Sequence, residues 1–442
     1  MQVIHLSTFD AVGGAARAAF RLHDGLRRRQ VESEMLVLNQ TVFRPDVRRF
    51  VPSRTLGDRL VRRARRLLFE TSRTYRPLGS DSLEVFSSGR SPLGNGPFQS
   101  ARDADIVNLH WSVGMFEYDA LARPGRSVWT LHDMHPFTGG CHFDSDCGRF
   151  SAACGGCPQL GSRKERDASR RLWERRAAAL ARLSREQLTI VAPSRWLADA
   201  ARQSSLFGRF PVEVIPYGLD TEVFQPRDRR IARGVLEIPE EARVILFIAD
   251  SLVNRRKGFG LLLKALETLR DIPNLWLLSI GRGEDLGQLS LPHRRIPFID
   301  DDRLLSVFYS AADLFVIPSI QDNLPNTVLE AMACGLPVVG FRVGGIPDMV
   351  RSGRNGHLAP VGETAAMSTA IREMLADPDR RSQMGAAARS IATAEFALDT
   401  QAARYEALYR DCLGLSPASP PFAGPTFAPV DETQDPATSG KM

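Results

Sequence analysis

The sequence predicts an α/β protein built from two doubly wound domains in tandem. Three observations carry this: a size and composition suited to two cores, and two separate series in which short apolar segments alternate with helical stretches. The chain has 442 residues, 43% of them hydrophobic, which allows two core-bearing domains of ordinary globular composition. In the first series Val3–Leu6, Met35–Leu38, Ile106–Leu109 and Val128–Leu131 read as strands and Ala15–Arg29 as a helix. The second follows Val212–Pro216, with strands at Val244–Ile248, Leu275–Ile280, Leu314–Ile317 and Val338–Phe341. Its helices are Gly258–Leu269, Val328–Ala333 and Ala365–Leu375. Such alternation is the pattern of a parallel sheet covered by helices.

This division sets the first domain at 1–210, with a basic insertion at about 44–100, and the second at 211–395. Residues 396–414 are expected to form a helix packing back on the first domain. The tail 415–442, rich in Pro, Ser, Thr and Ala, is expected to be disordered. No run of about eighteen uncharged apolar residues occurs, and Met1–Leu6 enters a strand without a basic leader, so a cytoplasmic chain spanning no membrane is expected. The net charge is +6, carried almost wholly by arginine; lysine occurs only at 164, 257, 264 and 441.

Three features suit an anion. Gly13-Gly14 follows the first strand and opens a helix, where backbone N–H groups can approach a phosphate. In Gln321 through Glu330, Pro325 suits a helix start, leaving the amides of Asn326 and Thr327 for a diphosphate and Glu330 for ribose hydroxyls. Asn254-Arg255-Arg256-Lys257-Gly258, between a strand and an apolar helix, offers cations. Each has a plainer reading: a simple strand-to-helix turn, Asp322 as a helix cap with Glu330 in water, and a solvated basic turn.

Cys141, Cys147, Cys154 and Cys157 lie within seventeen residues, a spacing compatible with structural zinc, a redox-labile pair or uncoordinated thiols. Cys334 and Cys412 are isolated and expected to pack as core residues. In Asp58 through Phe69, apolar residues 60, 61, 64, 67 and 68 share one helical face and arginines the other. Such a helix can lie on an anionic membrane surface or pack its apolar side onto the first domain.

Taken together, Gly13-Gly14, Leu131 through His142, Ala192 through Leu197, Arg256 through Phe259 and Asp322 through Gly335 resemble retaining glycosyltransferase family 4, in its colanic acid and exopolysaccharide branch. The resemblance covers most of residues 1–412. It implies a GT-B fold, two Rossmann-like domains facing a central cleft, and transfer of a sugar from a nucleotide sugar to a glycan or lipid-linked acceptor. Gly13, Gly14, Arg256, Lys257, Asn326, Thr327 and Glu330 are then expected to bind the donor. His132 is expected beside the transferred sugar, with Asp322 on its hydroxyls. Lys257 is expected to serve both binding and catalysis. The resemblance further implies retention of anomeric configuration with the departing phosphate as base, no required cofactor and no nucleic-acid partner.

Two positions depart from the family pattern. Asp322 stands where a longer glutamate is usual, and Ser251 where an arginine usually accompanies the lysine, so Arg255 or preferably Arg256 must supply that charge. Two rival functions share the architecture: a sugar-nucleotide epimerase and a non-catalytic carbohydrate-binding protein.

Overall fold

The central strands of both sheets are buried on both faces, which is why they read as continuous apolar runs. The computed structural model describes residues 1–53, 55–73, 86–122, 125–283, 289 and 291–415. The first sheet comprises β1 (Gln2–Phe9), β2 (Glu32–Asn39), β3 (Val47–Arg49), β4 (Ile106–Leu109), β5 (Arg126–Thr130), β6 (Leu188–Ala192) and β7 (Val212–Val214). Its order is β3-β2-β1-β4-β5-β6-β7, all parallel. The helices of this half are α1 (Gly14–Arg28), α2 (Leu56–Arg73), α3 (Gly96–Gln99), α4 (Ala168–Leu180) and α5 (Arg195–Gln203).

The second sheet comprises β8 (Arg243–Ser251), β9 (Leu275–Arg282), β10 (His293–Ile296), β11 (Leu314–Ile317), β12 (Val338–Phe341) and β13 (Gly356–Ala359). It is parallel in the order β10-β9-β8-β11-β12-β13. Its helices are α6 (Arg229–Val235), α7 (Phe259–Glu267), α8 (Asp302–Ala311), α9 (Asn326–Ala333), α10 (Ile346–Met349), α11 (Thr364–Ala376) and α12 (Pro378–Glu395). The α/β doubly wound class expected from the sequence is thus present twice. In each sheet the strand order reverses beside its first strand, between β1 and β4 and between β8 and β11. The crevice at such a reversal is where open α/β sheets bind ligands.

Several boundaries differ from expectation. Val212 of β7 pairs with Ile190 of β6, so the first sheet runs past residue 210. The 44–100 stretch supplies the edge strand β3 and the helix α2. The expected disordered tail lies outside the described residues from 416 onward. No helix among the described residues is long and apolar enough to cross a membrane.

Helix α13 (Leu398–Cys412) follows the second domain in sequence but packs on α1 of the first. Tyr405 and Tyr409 are fully buried in a core with Val3, Leu22 and Leu26. Their hydroxyls meet Thr130 Oγ1 at 2.9 Å and Asn108 Nδ2 at 2.6 Å. Aromatic burial seats the helix, and the two hydrogen bonds fix its register on β4 and β5.

The first sheet also carries a line of buried histidines toward its carboxyl edge. His5 Nδ1 lies 2.9 Å from His110 Nε2, His110 Nδ1 lies 3.1 Å from His132 Nε2, and His132 Nδ1 lies 2.7 Å from the Tyr217 hydroxyl. His5 Nε2 is buried without a partner among the described residues. An orphaned acceptor costs less than an orphaned N–H, which assigns the protons: each ring donates from Nδ1 toward Tyr217, leaving the lone pair of His5 Nε2 at the far end. Burial lowers the pKa of His132 to about 4 and pushes those of His5, His110 and the nearby His135 well down.

Two outcomes follow from this packing. Tyr409→Ala lowers unfolding stability by about 3–5 kcal/mol and Tyr409→Phe by about 1–3, because the latter strands only the Asn108 amide, as urea denaturation would read. The unfolded chain binds protons on these histidines below about pH 6.5 while the folded chain does not. Stability therefore falls on acidification from about 6.5 toward 4, by at most about 1.4 kcal/mol per pH unit for each histidine. Urea midpoints that stay constant from pH 7.5 to 5 contradict the buried neutral line.

Candidate active site

The carboxyl edges of the two sheets face each other across a cavity of about 400 Å³. Gly13, Gly14 and His132 line it from the first domain, and Arg256, Lys257, Asp322, Asn326, Thr327 and Glu330 from the second. All the residues singled out for the donor therefore share one cleft. Arg256 lines it and Arg255 does not.

The two glycine-led segments approach through local geometry. Gly13 has φ 91°, turning β1 directly into α1. Across the cleft, Asn326 at the start of α9 donates from Nδ2 to the Gly14 carbonyl at 2.9 Å, so two helix N-termini meet at one point. Pro325 precedes α9 and makes no side-chain cap, leaving the first-turn amides of α9 for a ligand. Asn326 Oδ1 is buried with no partner among the described residues, a second polar group at this junction.

Lys257 is delivered by a short turn, Arg255–Lys257, that Asn254 caps by accepting from the Arg256 amide at 2.9 Å. Gly258 ends the turn at φ 72°, and a Cβ there would lie 1.8 Å from the Pro318 carbonyl oxygen. Only glycine lets this turn lie against the end of β11. Lys257 Nζ then reaches Asp322 Oδ2 at 2.6 Å, while an Arg256 guanidinium nitrogen lies 3.5 Å from Asp322 Oδ1. Ser319 Oγ and the Asn323 amide also donate to this carboxylate, at 3.1 Å each. Burial raises the Asp322 pKa, but Lys257 and Arg256 outweigh it and hold the group below its ordinary value. The cations and the carboxylate expected to hold different parts of a donor thus neutralise one another here.

Glu330 is likewise engaged. Its Oε1 accepts from Arg21 at 2.8 Å and its Oε2 from the Tyr309 hydroxyl at 2.9 Å. Arg21 also bonds Asp302 at 3.0 Å, and Arg17 pairs with Asp300 and Asp302, so α1 is tied to the second domain through carboxylates. A carboxylate keeps further lone pairs, so Glu330 can still accept from hydroxyls at the cavity wall. His132 has both ring nitrogens occupied, and its carbonyl accepts from Asn323 Nδ2 at 3.1 Å. The Ala192–Leu197 motif serves the same bracket: Ser194 Oγ donates to Asn323 Oδ1 at 2.7 Å, and Arg195 pairs with Asp348 at 2.7 Å.

Asp133, beside His132, also lines the cleft. It accepts from Trp111 Nε1 at 3.0 Å and lies 2.5 Å from His142 Nδ1, whose Nε2 meets Ser87 Oγ at 2.9 Å. Arg21, His110, Trp111 and Tyr217 escaped the reading of the sequence, and Asn323 was read only as part of its motif. Arg21 sits in mid-helix in an arginine-rich chain, and the others lie outside any glycine-led turn.

The four clustered cysteines line one cavity behind this loop, where the Gly139 amide donates to Cys154 Sγ at 3.1 Å. Burial raises the thiol pKa of Cys154 to about 11 and pushes those of Cys141 and Cys157 upward, favouring protonated thiols. All six cysteines are free, and among the described residues no group of three or more His, Cys, Asp or Glu is arranged to hold a metal ion. The cluster, whose spacing is compatible with structural zinc, a redox-labile pair or uncoordinated thiols, holds free thiols in this arrangement. Cys334 is buried as expected, whereas Cys412 is partly exposed.

Residues 12–223 match the model for Glycosyltransferase Family 4 and residues 242–377 that for Glycosyl transferases group 1. The chain is 33% identical over 236 residues to D-inositol 3-phosphate glycosyltransferase of Mycobacterium tuberculosis, a match covering 49% of this chain and 48% of that protein. It thus spans about half the length of the curated relatives it matches. Among solved structures it superposes on sucrose-phosphate synthase from Thermosynechococcus elongatus with TM-score 0.63 and 19% identity, over 94% of this chain and all of that one. For Anabaena HepE in complex with UDP the values are 0.62 and 17%, over 93% and 100%. WaaG, a glycosyltransferase involved in lipopolysaccharide biosynthesis, superposes at 0.58 and 17%, over 94% and 100%. Two glycosyltransferase domain models thus match successive parts of the chain, and its architecture of two facing parallel sheets is that of the GT-B fold.

Proposed function

We propose that this protein transfers a sugar from a nucleoside-diphosphate sugar to a glycan or lipid-linked saccharide, with retention of configuration, in cell-surface polysaccharide synthesis. The observation that carries the proposal is the meeting of two helix N-termini and two cations in one interdomain cleft. Breaking the bond from the anomeric carbon to the diphosphate builds negative charge on the leaving oxygen. Amides of Gly14, Asn326 and Thr327, with Lys257 and Arg256, are suited to receive that charge. Lys257 exchanges Asp322 for the diphosphate, and Asp322 then accepts hydroxyls of the donor sugar. The acceptor oxygen bonds to the anomeric carbon as the diphosphate leaves, and its proton passes to a departing phosphate oxygen. His132, held neutral by burial, positions the sugar without adding a charge.

Because relatives by fold are described in complex with UDP and UDP-glucose, uridine nucleotides are the first donors to test. We further propose that α2 lies on an anionic membrane surface. Its Leu56, Leu60, Val61 and Leu67 are exposed rather than packed on the first domain, and Arg59, Arg62 and Arg63 supply positive charge.

UDP is expected to raise the melting temperature of the full chain. Lys257→Ala slows transfer by about 10²–10³-fold, and Glu330→Gln weakens donor binding by about tenfold; wild-type kinetics in both contradict the site. Nucleoside diphosphate release that needs acceptor distinguishes a transferase from an epimerase, which converts the sugar nucleotide alone. Leu60→Glu with Leu67→Glu abolishes sedimentation with phosphatidylglycerol vesicles while leaving transfer to a soluble acceptor intact; unchanged sedimentation removes α2 from the membrane.

A further inference from the structure

A second charged cavity opens on the first domain, away from the donor diphosphate groups. A groove of about 480 Å³ runs beside α4 and adjoins a hollow of about 580 Å³, the two sharing Ser88, Arg90, Leu172, Arg175 and Ala178. Among the described residues, seven arginines and three carboxylates line the pair. None of those arginines lines the donor cleft, whose arginines are Arg17 and Arg256.

The arrangement follows from α4. Arg171 and Arg175 stand one turn apart on one exposed face, and Arg182 continues that face just past the helix end. Between them Ala178 and Ala179 leave the floor open. Arg90 faces them from the opposite wall, and Arg65 reaches the groove from α2. Two of the carboxylates are answered locally: Glu117 accepts from Arg175 at 3.0 Å, and Glu174 pairs with Arg166 at 3.2 Å. Asp119 takes a hydrogen bond from Asn95 Nδ2 at 3.3 Å. The lining stays strongly positive. Burial and the neighbouring charge of Arg175 lower the Arg90 pKa despite Glu117.

This groove also leads to the chemistry. Gly89 and Tyr118 line both it and a small hollow that contains His132 and Asp133, and those two line the donor cleft as well. Shared walls therefore place the arginine groove two layers of side chains from the donor cleft. At its other end lies α2, whose apolar side chains are exposed.

We propose that this groove is the acceptor's phosphate subsite, so that the sugar-accepting molecule is a phosphate or diphosphate ester. Arginine forks pair two N–H groups with phosphate oxygens, which suits a doubly charged ester better than a neutral glycan. The proposal rests on the transferase reading above and specifies its acceptor. Bilayer headgroups offer the same chemistry, and the test separates the two sources.

The full chain is saturated with UDP, which fills the donor diphosphate site, and titrated calorimetrically with geranyl diphosphate and with inorganic diphosphate. Binding of both is expected, weakening with added salt, and becoming at least about tenfold weaker in the R90Q/R175Q variant. The exposed pair R171E/R182E, which cannot be dismissed as a folding defect, is expected to weaken it as well. UDP affinity stays unchanged in all of them, so loss of diphosphate binding with UDP binding intact separates this groove from the donor site; release of no nucleoside diphosphate in the presence of acceptor would instead refute the transferase reading. Unaltered diphosphate binding in both double variants overturns the subsite, as does absence of such binding to the UDP-loaded wild type. Loss of phosphatidylglycerol vesicle binding with diphosphate binding intact also overturns it, by assigning the arginines to the bilayer.

Discussion

The buried carboxylate of Asp322 organises the centre of this molecule. An ionised group removed from water must be paired and hydrogen-bonded, and here Lys257, Arg256, Ser319 and the Asn323 amide share that task. The requirement reaches outward through the backbone. Gly258 has to be glycine for the lysine turn to approach, and at Gly344 a Cβ would sit 1.7 Å from the Asp322 carbonyl oxygen. Asn323 in turn joins Ser194 and the His132 carbonyl, which carries the constraint into the other domain. An incoming diphosphate would compete with Asp322 for the same lysine and arginine.

At the cleft itself the domains meet through charge and amide contacts. Arg17 and Arg21 of α1 meet Asp300, Asp302 and Glu330, and Arg195 meets Asp348. Polar interfaces of this kind can exchange partners without exposing an apolar core. A ligand that competes for the same groups therefore couples its binding to the relative position of the two sheets.

Much of this was legible in the sequence, for identifiable reasons. Parallel strands buried on both faces leave apolar runs, so β1, β4, β8, β11 and β12 stood out, while glycines marked the turns at Gly13 and Gly258 and Pro325 marked the start of α9. The edge strand β10, His293–Ile296, is only partly buried and carries His-Arg-Arg, which hid it. The role of Arg21 was invisible because in a chain whose positive charge is almost all arginine, one more arginine on a helix signals nothing. His5 and His110 are single histidines beside apolar strands, and only their parallel registration makes a line of them. The cysteine spacing suggested a closed metal site, but spacing along a loop does not fix the direction of the thiols.

The return of α13 to the first domain has a consequence for biosynthesis. Val3, Leu22 and Leu26 obtain their cover from Tyr405 and Tyr409, nearly four hundred residues later in the chain. The N-terminal half therefore emerges from the ribosome with an unfilled greasy seam. It must wait through translation of the whole second half before that seam is sealed, an interval in which a chaperone or a neighbouring nascent chain can reach it.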